Sequence, residues 1–268
     1  MSLPVFLHPD LSSAAPGQPV AIDGGEGHHA VTVKRIQPGE KVVLADAAGF
    51  HAEVTVTVVS GKDYLEGTVN SVEQAPRPTP RVTVVQAIPK TERAEQAVDL
   101  ATQGGADAII AWAADRCIAK WDAKKAPKAL AKWQAAAIAA AKQSRRPRVP
   151  EVTGPLSTRQ LCERLRSAAS GSAENGDTAS GGAGSNVTLV LHEEATVSIK
   201  EVPLRGPSGE DADTVTVLVG PEGGIGRAEL DLLMEAGAVP VKLGPEVLRT
   251  ASAAFAALAA LGMRTERW

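Results

Sequence analysis

The sequence predicts an α/β protein with two domains, a small N-terminal β-barrel followed by a larger domain built on a parallel sheet. Residues 1–74 contain short apolar–polar alternations separated by turns, a pattern typical of small barrels. Residues 81–268 alternate short apolar runs with helical segments, which favours a parallel sheet covered by helices. Between them, residues 75–80 (APRPTP) contain three prolines and are predicted to form a stiff linker.

The N-terminal domain is expected to contain a hairpin and at least one further strand. In the run that starts at His51, Val54, Val56 and Val58 alternate with threonines, so we expect these valines on one buried face. A tight turn at 61–63 (GKD) joins this run to the next one. The predicted strands are Lys41–Ala45, His51–Val59 and Tyr64–Val72.

Five runs in the second domain predict buried strands, because each is apolar at consecutive positions, as strands covered on both faces must be. These strands are Val82–Ile88, Ala108–Trp112, Val187–Leu191, Val215–Val219 and Val239–Leu243. Helices are predicted from Thr91 to the glycine pair 104–105, and over Ala126–Gln143, Ala228–Ala236 and Ser252–Leu261. The last helix is mostly Ala and Leu and should be buried nearly all round.

Residues 167–186 interrupt this α/β pattern. They contain no large apolar side chain and are rich in Gly, Ser and Ala, so they cannot bury enough apolar surface to order themselves. We predict a flexible surface insertion without a function in the chemistry of the protein.

Composition and residue spacing exclude several classes of protein. No apolar run reaches the ~18 residues of a membrane span, and the N-terminal residues lack the pattern of a secretory signal. The two cysteines, Cys117 and Cys162, are too few for a disulfide framework and are expected to be buried and reduced. The five histidines show no metal-ligand spacing. We therefore expect a cytoplasmic protein without a metal or a membrane partner.

The charge distribution suggests a nucleic-acid contact that the total charge of −3 does not. Residues 142–148 (KQSRRPR) contain four cationic side chains within one short segment. Pro147 and Pro150 indicate a constrained loop rather than a continuing helix. Such a cluster can contact phosphates, but a charged run of this length is also typical of an ordinary solvated surface.

Three polar or glycine-bearing segments each follow a predicted buried strand directly. They are His192–Ala195, Gly220–Gly226 (GPEGGIG) and Gly244–Thr250 (GPEVLRT). Loops at the carboxyl ends of neighbouring parallel strands converge on one cleft, and glycines let the backbone approach a flat ligand closely. The spacing matches neither dinucleotide nor nucleoside-triphosphate motifs, so an adenosine-type cofactor such as S-adenosylmethionine fits best. The alternative is that these are ordinary tight strand–helix turns.

The segment Leu218–Leu261 resembles the C-terminal signature of SPOUT-class methyltransferases, and within that class the ribosomal RNA small subunit methyltransferase E family. The resemblance extends over nearly the whole chain apart from 167–186. It includes the barrel segment His28–Ala45, the Lys-x-x-Arg helix Lys90–Ala101, Asp115–Cys117 with Lys120, and Ala141–Val152.

This resemblance implies a SPOUT-type, trefoil-knotted parallel-sheet domain with an N-terminal PUA-like barrel that binds RNA. It also implies a homodimer that uses S-adenosylmethionine to methylate N3 of a uridine in 16S (small-subunit) ribosomal RNA, free or in the ribosomal subunit. One departure is that Ala251 stands where the family often has Glu after the third loop, which puts a carboxylate role there in doubt. Two alternatives stay open: a non-catalytic ribosome assembly factor of the same fold, and a methyltransferase acting on tRNA.

The residue-level expectations follow from the loops and the resemblance together. Arg249 is the expected catalytic residue, because a permanent cation can stabilise negative charge on the uracil oxygens; its alternative role is a salt bridge at a helix terminus. Glu222 and His192 are weaker candidates for a base. The expected cofactor-binding residues are Leu191, His192, Glu193, Val219, Gly220, Pro221, Glu222, Gly223, Gly224, Leu243, Gly244, Leu248, Arg249, Thr250 and Ala253. The expected RNA-binding residues are His28, His29, Lys34, Arg35, Arg93, Arg116, Arg145, Arg146 and Arg148, although both histidines could instead pack within the barrel.

Overall fold

The computed structural model describes residues 3–169, 185–206 and 209–268. The chain divides into two compact units. Unit 1 comprises Met1–Arg77 and Ala141–Val149, and unit 2 comprises Pro78–Ala140 and Pro150–Trp268. Unit 1 contains a curled five-stranded sheet and unit 2 a six-stranded parallel sheet, which confirms the predicted fold class. Unit 1 also includes a segment from the middle of the chain, Ala141–Val149, beyond the predicted N-terminal domain.

Unit 1 is built from five strands and one short helix among its described residues. In chain order these are β1 (Val5–Leu7), β2 (Pro19–Ile22), α1 (Gly24–His28), β3 (Lys41–Ala45), β4 (Phe50–Ser60) and β5 (Tyr64–Gln74). The sheet order is β1-β3-β4-β5-β2. Only β1 and β3 pair in parallel, and the other pairs are antiparallel. A π-helical turn, His29–Val33, follows α1.

The three predicted strands of unit 1 are confirmed, but the predicted placement of Val58 is wrong. Val54 and Val56 are buried, whereas Val58 is 42% exposed. The register between β4 and β5 shifts between Val56 and Val58, and such a bulge changes which side chains point to the core. The buried core of unit 1 consists of Phe6, Leu11, Ile22, Ala30, Ile36, Val42, Leu44, Ala52, Val54, Val56, Leu65 and Val69.

Unit 2 contains a sheet of six parallel strands. They are β6 (Arg81–Ala87), β7 (Ala108–Ala113), β8 (Glu151–Ser157), β9 (Asn186–Leu191), β10 (Thr214–Val219) and β11 (Ala238–Val241), in the order β11-β9-β10-β6-β7-β8. All five predicted strands are present. The sequence did not predict β8, which contains Gly154 and Pro155 and lies at the edge of the sheet without a fully buried residue. Gly and Pro are tolerated at such edges and mask the strand pattern.

The helices of unit 2 cover this sheet. They are α2 (Thr91–Gln103), α3 (Ala126–Ser144, whose last turn belongs to unit 1), α4 (Thr158–Ala169), α5 (Arg227–Glu235) and α6 (Thr250–Gly262). Helix α2 packs against α6, and α4 packs against α5. The expectation that the last helix is buried nearly all round is confirmed, with Phe255, 37% exposed, as its one exposed residue. No helix among the described residues has the length and apolar character needed to cross a membrane.

The predicted insertion at 167–186 falls mostly outside the described residues, since 170–184 are not among them. Residues 167–169 form the end of α4, and Asn186 begins β9. The predicted flexibility of the insertion therefore stays a prediction.

The C-terminal tail is held to unit 2 by a buried ion pair. The Arg267 guanidinium donates to Asp107 Oδ2 at 2.8 Å and also to the carbonyl oxygens of Pro80 and Gly105. The two side chains of the pair are only 7% and 10% exposed. Asp107 Oδ2 also accepts from the N–H of Val82 at 2.8 Å, so one pair ties the chain end to the start of β6 and to the turn before β7.

Replacing Arg267 with Ala is expected to lower the free energy of unfolding by about 3–5 kcal/mol, because the Asp107 carboxylate would lose its buried guanidinium. The matched control is Arg227→Ala, whose ion pair with Asp231 lies on the surface with 83% and 46% exposed side chains and should contribute about 1 kcal/mol or less. Urea denaturation measures both. Equal losses in the two variants would contradict the importance of the buried pair.

Candidate active site

The carboxyl ends of three neighbouring strands border a cavity of about 370 Å³. Because β9 lies between β11 and β10 in the sheet, the loops that follow these strands begin side by side at one edge. Loops 192–195, 220–226 and 244–250 all contribute residues to the cavity wall. The predicted convergence of the three loops is confirmed.

Of the fifteen residues predicted to bind the cofactor, fourteen line this cavity and one, Gly223, does not. The fourteen are Leu191, His192, Glu193, Val219, Gly220, Pro221, Glu222, Gly224, Leu243, Gly244, Leu248, Arg249, Thr250 and Ala253. The wall also contains Arg93, which was predicted as an RNA contact, and six residues that were not among the predicted cofactor contacts, although four of them lie in the predicted loops. These six are Ile225, Val241, Lys242, Pro245, Glu246 and Val247.

The loop after β10 is a tight turn whose shape requires glycine. A Cβ on Gly220 would lie 2.8 Å from Cγ1 of Ile225, so glycine is needed for the largely buried Ile225 side chain to fold over the start of the loop. Gly224 has φ +70°, a left-handed conformation that side-chain-bearing residues rarely adopt. Its N–H donates to the carbonyl of Pro221 at 2.9 Å. The backbone of this loop is therefore held rigidly beside the cavity.

Glu222 braces the N-terminus of α2 against the cavity. Its Oε1 accepts from the backbone N–H of Lys90 at 3.1 Å, and a carboxylate at that helix end is favourable to the helix dipole. Arg93, in the first turn of α2, lines the cavity. The other oxygen, Oε2, is buried and has no hydrogen-bond partner within the described part of the chain.

The geometry of His192 argues against a role as base. Its Nδ1 accepts from the N–H of Glu194 at 3.3 Å, which requires the lone pair of that nitrogen. A neutral His192 in this arrangement therefore carries its proton on Nε2 and offers no free lone pair to a substrate. The backbone N–H of His192 donates to the carbonyl of Val241 at 3.0 Å, so the start of the first loop is fixed to the end of β11.

Arg249 precedes the first residue of α6 and lines the cavity. Its side chain is exposed, and within the described ranges it makes no ion pair, so the alternative role as a helix-terminal salt bridge has no support among those residues. Its carbonyl oxygen accepts from the N–H groups of Ser252 and Ala253 at 2.9 and 3.0 Å. Ala251 is 4% exposed, so a small buried methyl group occupies the position where the resemblance raised the question of a carboxylate.

A buried carboxylate, Glu229, holds the loop that carries Arg116. Glu229 is 2% exposed, and its Oε1 accepts from the N–H of Asp115 at 3.0 Å and the hydroxyl of Thr158 at 2.5 Å. The Trp112 indole N–H donates to the same hydroxyl at 3.0 Å. Four parts of unit 2 thus meet at one carboxyl: the end of β7, the loop after it, and the starts of α4 and α5. The sequence did not reveal this role, since a Glu in a first helical turn is usually exposed.

Arg116 links that loop to the glycine-rich loop after β10. Its guanidinium donates to the carbonyl of Gly223 at 3.2 Å. A Cβ on Gly223 would lie 3.2 Å from Cβ of Arg116, so the glycine allows the close approach. Although Gly223 does not line the cavity, it connects Arg116 to a loop that does.

Family comparisons agree with this architecture. Residues 75–262 match the family model of the RNA methyltransferase domain, and residues 22–70 match that of the RNA methyltransferase PUA domain. The chain is 46% identical over 252 residues to the ribosomal RNA small subunit methyltransferase E of Mycobacterium tuberculosis (strain CDC 1551 / Oshkosh), covering 94% of this chain and 89% of that protein. This chain belongs to the ribosomal RNA small subunit methyltransferase E family.

More distant proteins also resemble this chain, one of them in sequence and two in three-dimensional structure. The Bacillus subtilis (strain 168) protein is 31% identical, with 92% of this chain and 90% of that protein covered. The Neisseria gonorrhoeae member, whose crystal structure has S-adenosyl methionine bound, superposes with a TM-score of 0.79 at 25% identity, covering 98% of each chain. A Legionella pneumophila protein solved with the cofactor SAM superposes with a TM-score of 0.80 at 26% identity, also over 98% of each chain.

The RNA contacts predicted in unit 1 of this methyltransferase E family member fall into three groups: exposed residues around α1, His29, and the arginines of 142–148. His28, Lys34 and Arg35 are exposed on and after α1. Helix α1 lies against the turn between β4 and β5, where a Cβ on Gly27 would lie only 1.8 Å from the carbonyl oxygen of Asp63. The helix that precedes and carries these exposed side chains is therefore closely packed against the rest of unit 1. Arg35 has φ +56°, so the chain reverses sharply at its position.

His29 belongs instead to a partly buried cluster. Its ring packs edge-on against Phe6 at 5.6 Å, and its Nδ1 lies 3.4 Å from Nζ of Lys142. That Lys142 ammonium forms an ion pair with Glu26 at 2.7 Å. Burial, and after it the Lys142 charge, lower the pKa of His29 below its ordinary value. His29 is therefore neutral near pH 7, and a phosphate contact from it would be a neutral hydrogen bond.

The predicted basic cluster at 142–148 is only partly exposed. Arg145 is exposed with φ +57°, and Arg146 is half-buried. Arg148 donates to the carbonyl oxygens of Ala48 and Ala75, and its guanidinium occupies the space that a side chain at Gly49 would fill. Arg148 thus holds the segment Ala141–Val149 to the strands of unit 1.

The cysteines are buried and free, as predicted. Burial raises the pKa of both Cys117 and Cys162 above the ordinary value for a thiol, so both are inert thiols at neutral pH. Among the described residues no group of three or more His, Cys, Asp or Glu side chains could hold a metal ion.

Replacing Glu229 with Leu is expected to destabilise the fold by about 1–3 kcal/mol for each of the two donors it would orphan, the Asp115 N–H and the Thr158 hydroxyl. Glu229→Gln keeps an acceptor oxygen and should lose clearly less. Denaturation gives the free energies, and limited proteolysis reports whether the loop around Arg116 has loosened. If the Leu and Gln variants are equally stable, Glu229 does not anchor this loop.

Proposed function

We propose that this chain is an S-adenosylmethionine-dependent methyltransferase that methylates N3 of a uridine in 16S ribosomal RNA. The observation that carries the proposal is the cavity at the ends of β9, β10 and β11, bordered by three loops in a chain that belongs to the ribosomal RNA small subunit methyltransferase E family. Similar proteins from Neisseria gonorrhoeae and Legionella pneumophila have been solved with this cofactor bound.

The cavity fits a nucleoside-type cofactor by size and by chemistry. Its volume of about 370 Å³ lies within the range of small-molecule pockets, roughly 300–1,000 Å³. Backbone groups of the loops after β10 and β11 would hold the cofactor, with Leu191, Val219 and Leu248 supplying apolar contacts.

The cofactor supplies a methyl group that is already activated on a sulfonium centre, so the protein must bind, orient and stabilise charge. Uracil N3 is nucleophilic only after it loses its proton, and the negative charge then spreads onto the carbonyl oxygens. The Arg249 guanidinium is a permanent cation at the cavity wall, and it stabilises that charge and lowers the cost of losing the proton. With His192 oriented by Glu194, Glu222 by Lys90, and Ala at position 251, Arg249 is the group best suited to this task.

The proposal also includes a homodimer, a knotted chain and a cytoplasmic location. The homodimer is part of the proposal because the family resemblance implies it. A trefoil knot around the cavity loops and a cytoplasmic location accompany the proposed role in ribosomal RNA methylation.

The Arg249→Ala variant is expected to bind S-adenosylmethionine nearly as well as the wild type while its methylation rate falls about 100-fold or more, since an electrostatic contact to developing charge is lost. Calorimetry measures cofactor binding, and transfer of a radiolabelled methyl group to 16S RNA measures the rate. Arg227→Ala, another exposed arginine in unit 2, is the control. An unchanged rate in Arg249→Ala would disprove the role of this residue.

Mapping the methylated nucleotide tests the substrate. Deleting the gene should remove one N3-methyl group from a single uridine of 16S RNA, and the purified protein should restore it in vitro. Loss of a methyl group from a tRNA would instead identify a tRNA methyltransferase. If calorimetry detects no binding of S-adenosylmethionine or S-adenosylhomocysteine, the non-catalytic assembly factor is the better description.

A further inference from the structure

Besides residues 142–148, positive charge is concentrated in one further stretch of a chain that is acidic in total. Residues 116–132 contain six cationic side chains and one acidic side chain, Asp122, which leaves 22 cationic and 30 acidic side chains for the rest of the chain. Five of the six recur at every fourth position, and we call these five the cationic strip: Arg116, Lys120, Lys124, Lys128 and Lys132. The strip lies outside the cavity described above and includes four lysines to which no role has been given.

Every member of the cationic strip is exposed. Lys128 and Lys132 lie one turn apart on α3, so their side chains share one side of that helix. The side chains of Lys124, Lys128 and Lys132 form no ion pair with any residue in the described ranges. Asp122, the nearest carboxylate in the sequence, pairs with the neighbouring Lys125 at 3.8 Å and accepts from the backbone N–H groups of Lys124 and Lys125.

The loop that carries the first half of the cationic strip is fixed in place. The Trp121 ring packs edge-on against the buried ring of Trp133 on α3, with centroids 5.0 Å apart. The Lys120 ammonium donates to the carbonyl of Asp115 at 3.1 Å. Because the loop is fastened at both ends, its cations occupy defined positions before any partner binds, which reduces the entropy lost on binding.

This arrangement costs stability unless a polyanion neutralises it. Like charges four residues apart destabilise a helix, and Lys128 and Lys132 form such a pair without a compensating acidic neighbour among the described residues. Arg116 at one end of the strip contacts Gly223, in the loop that borders the cavity. In chain order, the strip therefore begins at a residue that contacts a cavity loop and ends in the first turns of α3.

We propose that the cationic strip binds the sugar-phosphate backbone of the RNA substrate, outside the site of methyl transfer. The proposal rests on the proposed function for the identity of the RNA. Phosphate contacts position a nucleic acid without reading its sequence, and exposed cations at five regularly spaced positions offer several such contacts. An anionic membrane is a poorer match, since a flat surface would also meet the acidic remainder of the chain.

The test is the triple variant K124Q/K128Q/K132Q, which removes three charges while keeping polar, unbranched side chains and, at 128 and 132, a similar helix propensity. Its affinity for a 16S RNA fragment, measured by fluorescence anisotropy, should fall about tenfold or more at physiological salt, and the slope of log K against log salt should decrease by about 2–3. The KM for RNA should rise in parallel, whereas kcat at saturating RNA and the affinity for S-adenosylmethionine should not change.

The matched control is R159Q/R164Q/R166Q, which removes three exposed cations from another helix of unit 2, α4. This control separates local phosphate contacts from the effect of total charge. Equal RNA affinity of the two triple variants would overturn the proposal, as would an unchanged salt slope in K124Q/K128Q/K132Q. So would a variant that lost binding to phosphatidylserine vesicles but not to RNA. Circular dichroism melting confirms that both variants fold.

The two proposals fail in distinguishable ways. A wild-type protein that binds the RNA fragment but methylates nothing would overturn the proposed function and leave the cationic strip intact. If the wild-type protein methylates 16S RNA and K124Q/K128Q/K132Q does so with the same KM for RNA, the proposal for the cationic strip is overturned and the proposed function stands. The variant K124R/K128R/K132R, which restores the charges, should recover wild-type affinity and salt slope.

Discussion

Pairing of β9 with both β10 and β11 is the constraint on which the candidate site depends. The three strands run parallel and adjacent, so their carboxyl ends reach one edge of the sheet and the following loops must share the same space. No single loop encloses the cavity. A change that removed β9 from its position between the other two would separate His192 from Gly220 and Gly244 even if each loop kept its own conformation.

The loop after β10 transmits this sheet geometry to the rest of unit 2. On one side Glu222 accepts from the N-terminus of α2, and on the other the carbonyl of Gly223 accepts from Arg116. Glu229, a few residues further on, anchors the loop that carries Arg116. Residues 222–229 therefore help to position two arginines, Arg93 and Arg116. Each of these contacts involves a backbone atom of the protein, and none requires the substrate.

The local sequence pattern was sufficient to predict buried strands and the loops that follow them, but not features that depend on contacts between distant residues. Buried strands such as β6 and β10 have continuous apolar runs, and the cavity loops follow such strands directly, so both could be inferred. The exposure of Val58 could not, because a bulge is decided by pairing with β5. Strand β8 was missed because Gly154 and Pro155 obscure its pattern at a sheet edge. The anchoring role of Glu229 depends on Thr158 and Asp115, far apart in sequence, and no local pattern reports such a contact.

Total charge is a poor guide to nucleic-acid binding in a chain like this one. The net charge of −3 sums charges over the whole chain. A bound phosphate interacts mainly with nearby charges, because exposed charges are screened beyond about 8–10 Å in physiological salt. What an approaching phosphate experiences is the local arrangement, and 116–132 is strongly positive within that distance scale. The rest of the chain is acidic and repels RNA held in the wrong orientation. The few cationic surfaces therefore decide how the substrate docks.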